Sequence, residues 1–316
     1  MARYLVTGAA GFIGAALASR LMKEGNQVVT IDNLSTGNIS NIPDGVKFIE
    51  GDCGNQDVYS NIPNDPYDAI FHIAGQSSGE ISFDDPIYDI RTNAESTLLL
   101  LKFALKNNCK RFIFASTMSV YGIKPERPVK ENEDCHPESF YGIAKLASEH
   151  YLRVYEQFGI DTTSLRLFNV YGPGQNMDNL RQGMVSIFLA QMLKDKRIHV
   201  KGSADRFRDF IHVDDVVESF LRCLSCDSKQ ECKVINIANG KATKGKRNHR
   251  TASVFTRSNQ IEVEYQGGTP GDIHGIYADI TQDEKYLWRL GKKVELQGRS
   301  LLNDGQILQI VKYSIR

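Results

Sequence analysis

The chain has 316 residues, 41% of them hydrophobic and 24% charged, with 38 Lys and Arg against 38 Asp and Glu. That length and apolar content suffice for a large core, and no apolar run is long enough to read as a membrane span. Zero net charge provides no overall field for nucleic acid or an anionic membrane, so an anionic ligand must be held by a local site.

From Met1-Ala2-Arg3 the sequence passes directly into Tyr4-Leu5-Val6 without a secretion-signal pattern, and its six cysteines are too sparse for a disulfide framework. Both features favour the cytoplasm. Strands are expected at 4–7, 27–31, 46–50, 69–74, 111–116 and 163–168, and helical spacing occupies 12–23, 94–107 and 143–158. Apolar runs such as Ala69-Ile70-Phe71-His72-Ile73-Ala74 suit strands covered on both faces. The expected fold is α/β, a Rossmann-type doubly wound parallel sheet with a smaller, mostly C-terminal substrate-binding lobe. Residues 1–171, with a returning segment at about 209–240, form the cofactor unit, and 172–208 with 241–316 form the lobe.

Gly8-Ala9-Ala10-Gly11-Phe12-Ile13-Gly14 lies where the first strand meets the first helix, a place where bare backbone amides can receive a pyrophosphate. Asp32 ends the second strand eighteen residues after Gly14, where a carboxylate accepts from ribose hydroxyls and repels a 2'-phosphate. The cofactor is therefore expected to be NAD. Asp52, after the third strand, is placed to reach the adenine amino group, and Ala74, Gly75 and Gln76 follow the fourth strand under the cofactor.

Tyr141 and Lys145 stand four residues apart at a helix start, so they share one face. A phenol titrates near about 10, so a tyrosine base needs a positive charge close by, which Lys145 and an oxidised nicotinamide supply. Ser116 and Thr117 end the fifth strand and bring hydroxyls to the same cofactor face.

These motifs occur together with Asp32-Asn33-Leu34-Ser35-Thr36-Gly37, Ser116-Thr117-Met118-Ser119-Val120-Tyr121-Gly122 and Leu165-Arg166-Leu167-Phe168-Asn169-Val170-Tyr171-Gly172-Pro173. Arg208-Asp209-Phe210-Ile211-His212-Val213-Asp214-Asp215 and Pro270-Gly271-Asp272 complete the set. The chain thereby resembles the extended short-chain dehydrogenase/reductase superfamily, in its NAD-dependent sugar epimerase/dehydratase branch, and within it the UDP-glucose 4-epimerases. The resemblance covers roughly residues 1–240 and returns at 261–281.

It implies that Tyr141 takes the proton from a sugar 4-hydroxyl while hydride passes to NAD, that Thr117 bridges, and that Lys145 holds the nicotinamide ribose. The resulting 4-keto sugar turns over and is reduced on its other face. Threonine at 117 replaces the serine of most relatives and keeps the hydroxyl. Further cofactor contacts implied are Phe12, Ile13, Asn33, Ser35, Thr36, Gly37, Cys53 and Asn93, the last also a candidate helix cap. Implied substrate contacts are Ser78, Met118, Ser119, Phe168, Met184, Val185, Val200 and Asp272, with Asn169 and Arg208 on the diphosphate. Ile276 stands where the family sets access of N-acetylated sugars, and Thr269 replaces an arginine of many relatives.

Dehydratases of the family carry an Asp-Glu pair after the catalytic threonine, and decarboxylases a glutamate at the Ser119 position. Met118-Ser119 therefore leaves 4-epimerisation of a UDP-hexose as the leading reading, ahead of dehydratase, decarboxylase or C2 epimerase. A catalytically silent sensor of NAD or nucleotide sugar is the reading from another class. Apolar positions on 98–105 and 146–155 exceed what the sheet should bury, and the resemblance implies a homodimer through these helices. Cys223-x-x-Cys226 with Cys232 lacks a fourth ligand, so no metal is expected, and His72 reads as a core residue. Two segments, 241–260 and 285–316, depart from the family pattern; the first is a basic run without an apolar stripe.

Overall fold

The β-branched and aromatic runs form the centre of the molecule in a computed structural model that describes residues 1–226, 233–244, 262–268, 271 and 273–287. In chain order the strands of the first half are β1 (Arg3–Thr7), β2 (Gln27–Asp32), β3 (Lys47–Glu50), β4 (Ala69–His72), β5 (Arg111–Thr117) and β6 (Asp161–Leu167). β7 (Asn169–Tyr171), β8 (Arg197–Lys201), β9 (Phe207–Arg208), β10 (Phe210–His212) and β11 (Val234–Ile237) follow, then β12 (Thr243–Lys244), β13 (Glu262–Gln266) and β14 (Gly275–Ile276). The helices are α1 (Phe12–Lys23), α2 (Pro86–Ile90), α3 (Ser96–Lys106), α4 (Phe140–Tyr155), α5 (Met184–Asp195) and α6 (Val213–Arg222).

Seven strands pair in the order β11-β6-β5-β4-β1-β2-β3, all parallel. Successive side chains alternate between faces. Tyr4, Val6, Phe71 and Ile113 pack on Leu17 and Leu21 of α1 and Val216 and Phe220 of α6. Leu5, Ile70, Phe112 and Phe114 pack on Leu100 and Leu101 of α3 and Leu152 of α4. In α1 the buried Gly14, Leu17, Ala18 and Leu21 follow the i, i+3, i+4, i+7 spacing of one helix face. Strand order reverses between β1 and β4, and the cleft there opens beyond their carboxyl ends.

Local chemistry moves some element ends from their expected positions. β4 stops at His72 because the amides of Ile73 and Ala74 both donate to Thr7 Oγ1, at 3.1 Å each, and leave the ladder. α4 begins at Phe140 because Ser139 Oγ accepts from the Gly142 amide at 3.1 Å. A π turn over Arg91–Glu95 joins α2 to α3 and buries Thr92, Asn93 and Ala94.

After β6 the chain builds short ladders: β7 with β10, β9 with β12 and β14, and β8 with β13. α5 lies on β8, with Leu189, Met192, Ile198 and Val200 sharing one cluster. Residues from 213 return to the main sheet, where α6 packs on α1 and β11 forms its edge.

α4 is fastened to the sheet by a buried ion pair. Arg166 of β6 grips Glu149 of α4 with Nη2 to Oε2 at 2.7 Å and Nε to Oε1 at 3.0 Å, and Ser116 of β5 donates to Oε1 at 2.5 Å. Glu149→Ala should cost about 3–5 kcal/mol in urea unfolding, because it leaves a buried guanidinium uncompensated. A Glu149→Leu/Arg166→Met double variant should recover most of that loss.

Candidate active site

The cofactor end is a turn that tolerates no side chains. Gly8 has φ +73°, and a Cβ there would lie 2.7 Å from the Ala74 amide nitrogen. A Cβ on Gly14 would collide with the Gly8 carbonyl, and Gly11 caps α1 without any side-chain hydrogen bond. The N-terminal amides of α1 are thus open to an anion, with Phe12 and Ile13 half-buried at its first positions.

Asp32 is 8% exposed and accepts from the Ala10 amide at 2.9 Å and the Leu34 amide at 2.8 Å, one on each oxygen. A carboxylate retains lone pairs beyond these two, so acceptance from ribose hydroxyls stays open to it. Asn33 donates to Asp52 at 2.8 Å and accepts from the Ser35 amide at 3.1 Å. Ser35 and Thr36 are exposed beside Gly37, where a Cβ would press on Ala10 at 2.7 Å. The second Asp52 oxygen takes the Gly54 amide at 2.7 Å, so Asp52 braces this loop. Cys53 is buried, and burial pushes its thiol up.

Beyond Ala74 a Cβ on Gly75 would collide with Asn93 Oδ1 and come within 3.4 Å of Lys145 Nζ. Asn93 Oδ1 is buried without a hydrogen-bond partner. A bare glycine floor and an acceptor lacking a donor fit a dinucleotide, which brings ribose hydroxyls to that place. Ser78 is 8% exposed, its amide donating to Gln76 Oε1 and its hydroxyl to the Arg181 carbonyl at 3.3 Å.

Thr117, Tyr141 and Lys145 come together as expected, and Ser116 lies behind them, bonded to Glu149. The Thr117 hydroxyl lies near enough to the Tyr141 phenol to oppose the rise in its pKa, and it donates to Ser119 Oγ at 3.3 Å. Lys145 donates to the Ala115 carbonyl at 3.0 Å and lies 4.6 Å from the Phe114 ring centroid. Lys145 Nζ is 6.0 Å from the Tyr141 ring centroid, and in the protein alone burial pushes Tyr141 up to about 12. Burial likewise pulls Lys145 down to about 8, opposed by the charge of Asp89.

A cleft of about 440 Å³ adjoins this group. Gly79, Glu80, Met118 and Ser119 line one part, and Asn169, Met184, Val200 and Arg208 others. Arg208 is 5% exposed and donates to the carbonyls of Phe207, Ile273 and His274 at 2.8, 2.9 and 3.1 Å. Asn169 donates to the Asp209 carbonyl at 2.9 Å. Val185 packs partly buried beside Met184. Phe168 and Ile276 depart from expectation: both are buried in a cluster with Val120, Tyr121 and Ala278 and do not line the cleft, whereas Ile273 does. Asp272, Thr269, Cys232 and most of the two atypical segments 241–260 and 285–316 (245–260 of the first and 288–316 of the second) lie outside the described residues.

His72 is fully buried between Thr7 Oγ1 at 2.9 Å and Thr97 Oγ1 at 3.1 Å, with its protonation pushed well down by burial. Cys223 and Cys226 are buried, and their carbonyls accept from Arg111. Glu80, Arg206 and Asp89 escaped the reading of the sequence. Arg206 and Glu80 come from loops without motif spacing; Asp89 precedes Asn93 by four residues on a helix, a detectable signal.

A glycine turn at a parallel-sheet switch point, followed by a buried Thr-Tyr-Lys group, defines a dinucleotide-dependent enzyme of the Rossmann type. Residues 4–238 match the NAD dependent epimerase/dehydratase family, and the chain belongs to it, with NAD as cofactor. A UDP-glucose 4-epimerase of Mycolicibacterium smegmatis is 35% identical over 227 residues, 70% of this chain and 72% of that one. A Thermotoga maritima UDP-glucose 4-epimerase, solved with UDP-glucose, superposes with a TM-score of 0.89 at 32% identity, covering 99% of this chain and 98% of that one. A Thermus thermophilus UDP-glucose 4-epimerase solved with NAD gives 0.84 at 27% identity, covering 98% of each chain. Similar proteins also include ones named for reduction, decarboxylation and dehydration of nucleotide sugars.

Two outcomes follow from this geometry. Gly14→Ala should abolish retention of NAD through purification, read from the ultraviolet spectrum, because its methyl group displaces the Gly8 carbonyl. Lys145 is protonated below about 8 and loses its charge above it, so turnover should fall as pH rises through that value. In a Lys145→Arg variant, slower but permanently charged, that alkaline limb should disappear from the pH profile.

Proposed function

We propose that this enzyme interconverts 4-epimers of a UDP-hexose of the UDP-glucose and UDP-galactose type. The observation that carries the reading is the wall beside the hydroxyl group of Thr117. Met118 and Ser119 line the cleft there, so that wall has no carboxylate to remove a C5 proton or expel a 6-hydroxyl. Among the described residues, the carboxylates that border the cleft, Glu80 and Glu138, come from other loops, and Glu80 is paired with Lys201 at 2.9 Å. The relatives named as UDP-glucose 4-epimerases support the same choice.

NAD, when bound, accepts a hydride from the sugar C4 and returns it. Tyr141 takes the 4-hydroxyl proton, with Thr117 beside it, and returns it to the C4 oxygen once the keto sugar has turned its other face toward the cofactor. Lys145 positions the nicotinamide ribose, while Arg208 and Asn169 hold the diphosphate on which the sugar swings. In this reading residues 1–171 with 209–240 carry the cofactor, and 172–208 with 241–316 the sugar nucleotide.

The proposal extends to a cytoplasmic homodimer. No described helix is long and apolar enough to cross a membrane. Ile87 and Ile90 of α2 and Ile143 and Val154 of α4 are 63%, 51%, 53% and 47% exposed. Leu98, Leu99 and Leu146, in the segments where the sequence suggested an interface, are half-buried. A second copy covering α2, α3 and α4 accounts for these side chains.

Purified protein given UDP-glucose or UDP-galactose should yield the other 4-epimer by chromatography, and Tyr141→Phe should lower the rate about 10²–10⁴-fold. Conversion by neither protein would reject these substrates and favour another nucleotide sugar or a silent binder. Light scattering should give a dimer mass, and Ile143→Glu a monomer.

A further inference from the structure

Beneath the Thr-Tyr-Lys group lies a carboxylate that the reaction above does not use. Asp89, the penultimate residue of α2 before the π segment, is 1% exposed. Its Oδ1 accepts from Gln76 Nε2 at 2.9 Å and from Asn93 Nδ2 at 3.2 Å, while its Oδ2 is buried with no partner. A carboxylate left half unpaired in the interior is costly. Asp89 nevertheless sits where both residues it touches border the cofactor floor.

An amide has one donating and one accepting end, and an ionised carboxylate can only accept. Asp89 therefore obliges both amides to turn their NH₂ groups toward it. Gln76 then directs Oε1 to the Ser78 amide, and Asn93 directs Oδ1 to the open side of Gly75, next to Lys145 Nζ. Asn93 Nδ2 also donates to the Gln76 carbonyl at 3.0 Å, so the two side chains are oriented together. That Oδ1 is the buried acceptor without a donor, and the nicotinamide ribose offers hydroxyls there.

We propose that Asp89 is a positioning residue: as a carboxylate it fixes the Gln76 and Asn93 amides so that an acceptor faces the cofactor ribose. The inference rests on the cofactor alone, so it stands or falls independently of which sugar the enzyme takes.

The charge balance agrees. Burial raises the Asp89 carboxyl to about 6, against the lowering effects of Gln76, Lys145 and Asn93. From α4 it faces Lys145 and Tyr141; the run Ile81–Phe83 brings no charged group, and Arg91 and Glu95 of the π turn are exposed. Protonation below about 6 removes the obligation on Asn93, since a carboxylic acid can donate to an amide oxygen. Cofactor binding thus favours the ionised form, and retention of NAD should weaken as pH falls through that value. Folding has the opposite preference. A folded pKa above the unfolded 3.8 means that Asp89 subtracts stability as pH rises from 3.8 to about 6.

The test is the rate at which the holoenzyme releases NAD, followed from about pH 5 to about 8, in wild type and Asp89→Asn. Wild type should release faster as pH falls through about 6. Asp89→Asn should release on the order of tenfold faster at pH about 8 and show no change through the same range. Its thermal midpoint at neutral pH should equal or exceed that of wild type, whereas a residue serving only to hold the fold would lower it. A wild-type release rate that is flat through about 6, or an Asp89→Asn protein that keeps the wild-type rise, overturns the proposal.

Discussion

The buried pair of Glu149 and Arg166 sets the distance on which the active site depends. Tyr141 and Lys145 ride on α4, while Thr117 ends β5, and nothing in the covalent chain holds one against the other. Glu149 lies one turn beyond Lys145, and Ser116, which completes its hydrogen bonds, precedes Thr117. Arg166 adds a bond to the Glu131 carbonyl at 3.1 Å and stacks 4.6 Å above the Tyr121 ring, whose hydroxyl donates to Asn236 at 2.6 Å. Such a pair contributes little net stability relative to apolar packing, because desolvation offsets its attraction. Its effect here is positional: helix, two strands and the following loop have one mutually satisfied arrangement.

The same exclusion of water acts on three titratable groups at the centre of the site. It pushes Tyr141 up, Lys145 down and Asp89 up, each toward its neutral form. Charge persists only where a partner opposes burial, as Asp89 does for Lys145. The protein alone therefore holds a protonated phenol, and the positive charge of an oxidised nicotinamide completes the balance that favours proton removal. Low dielectric strengthens that coupling between cofactor and base.

Asp209 ties the segments after β6 to the same frame. It is fully buried between β9 and β10, and its carboxylate accepts from the amides of Asn239, Gly240 and Ala278 at 3.0, 2.9 and 3.1 Å. Its neighbour Arg208 is thereby held at the cleft, between the strand that carries Asn169's partner carbonyl and the loop of Ile273. The diphosphate contacts proposed above thus depend on three distant segments meeting at one carboxylate.

Periodicity and turn chemistry were enough to read the parallel sheet, the glycine turn and the Thr117, Tyr141 and Lys145 group, because each rests on short-range spacing within one strand, turn or helix. The places where the reading differed involve contacts between distant segments. β4 ends early through Thr7, 65 residues upstream of His72, and Ile276 is drawn into a core shared with Val120 and Phe168. Asp89 carried only an ordinary helical spacing until packing buried it against Gln76 and Asn93. The sequence by itself determined which elements form and which side chains carry the chemistry, since those follow from local sterics and hydrogen bonding. Only the tertiary structure decided their protonation and orientation, because desolvation and amide direction depend on neighbours that the chain brings together from far apart.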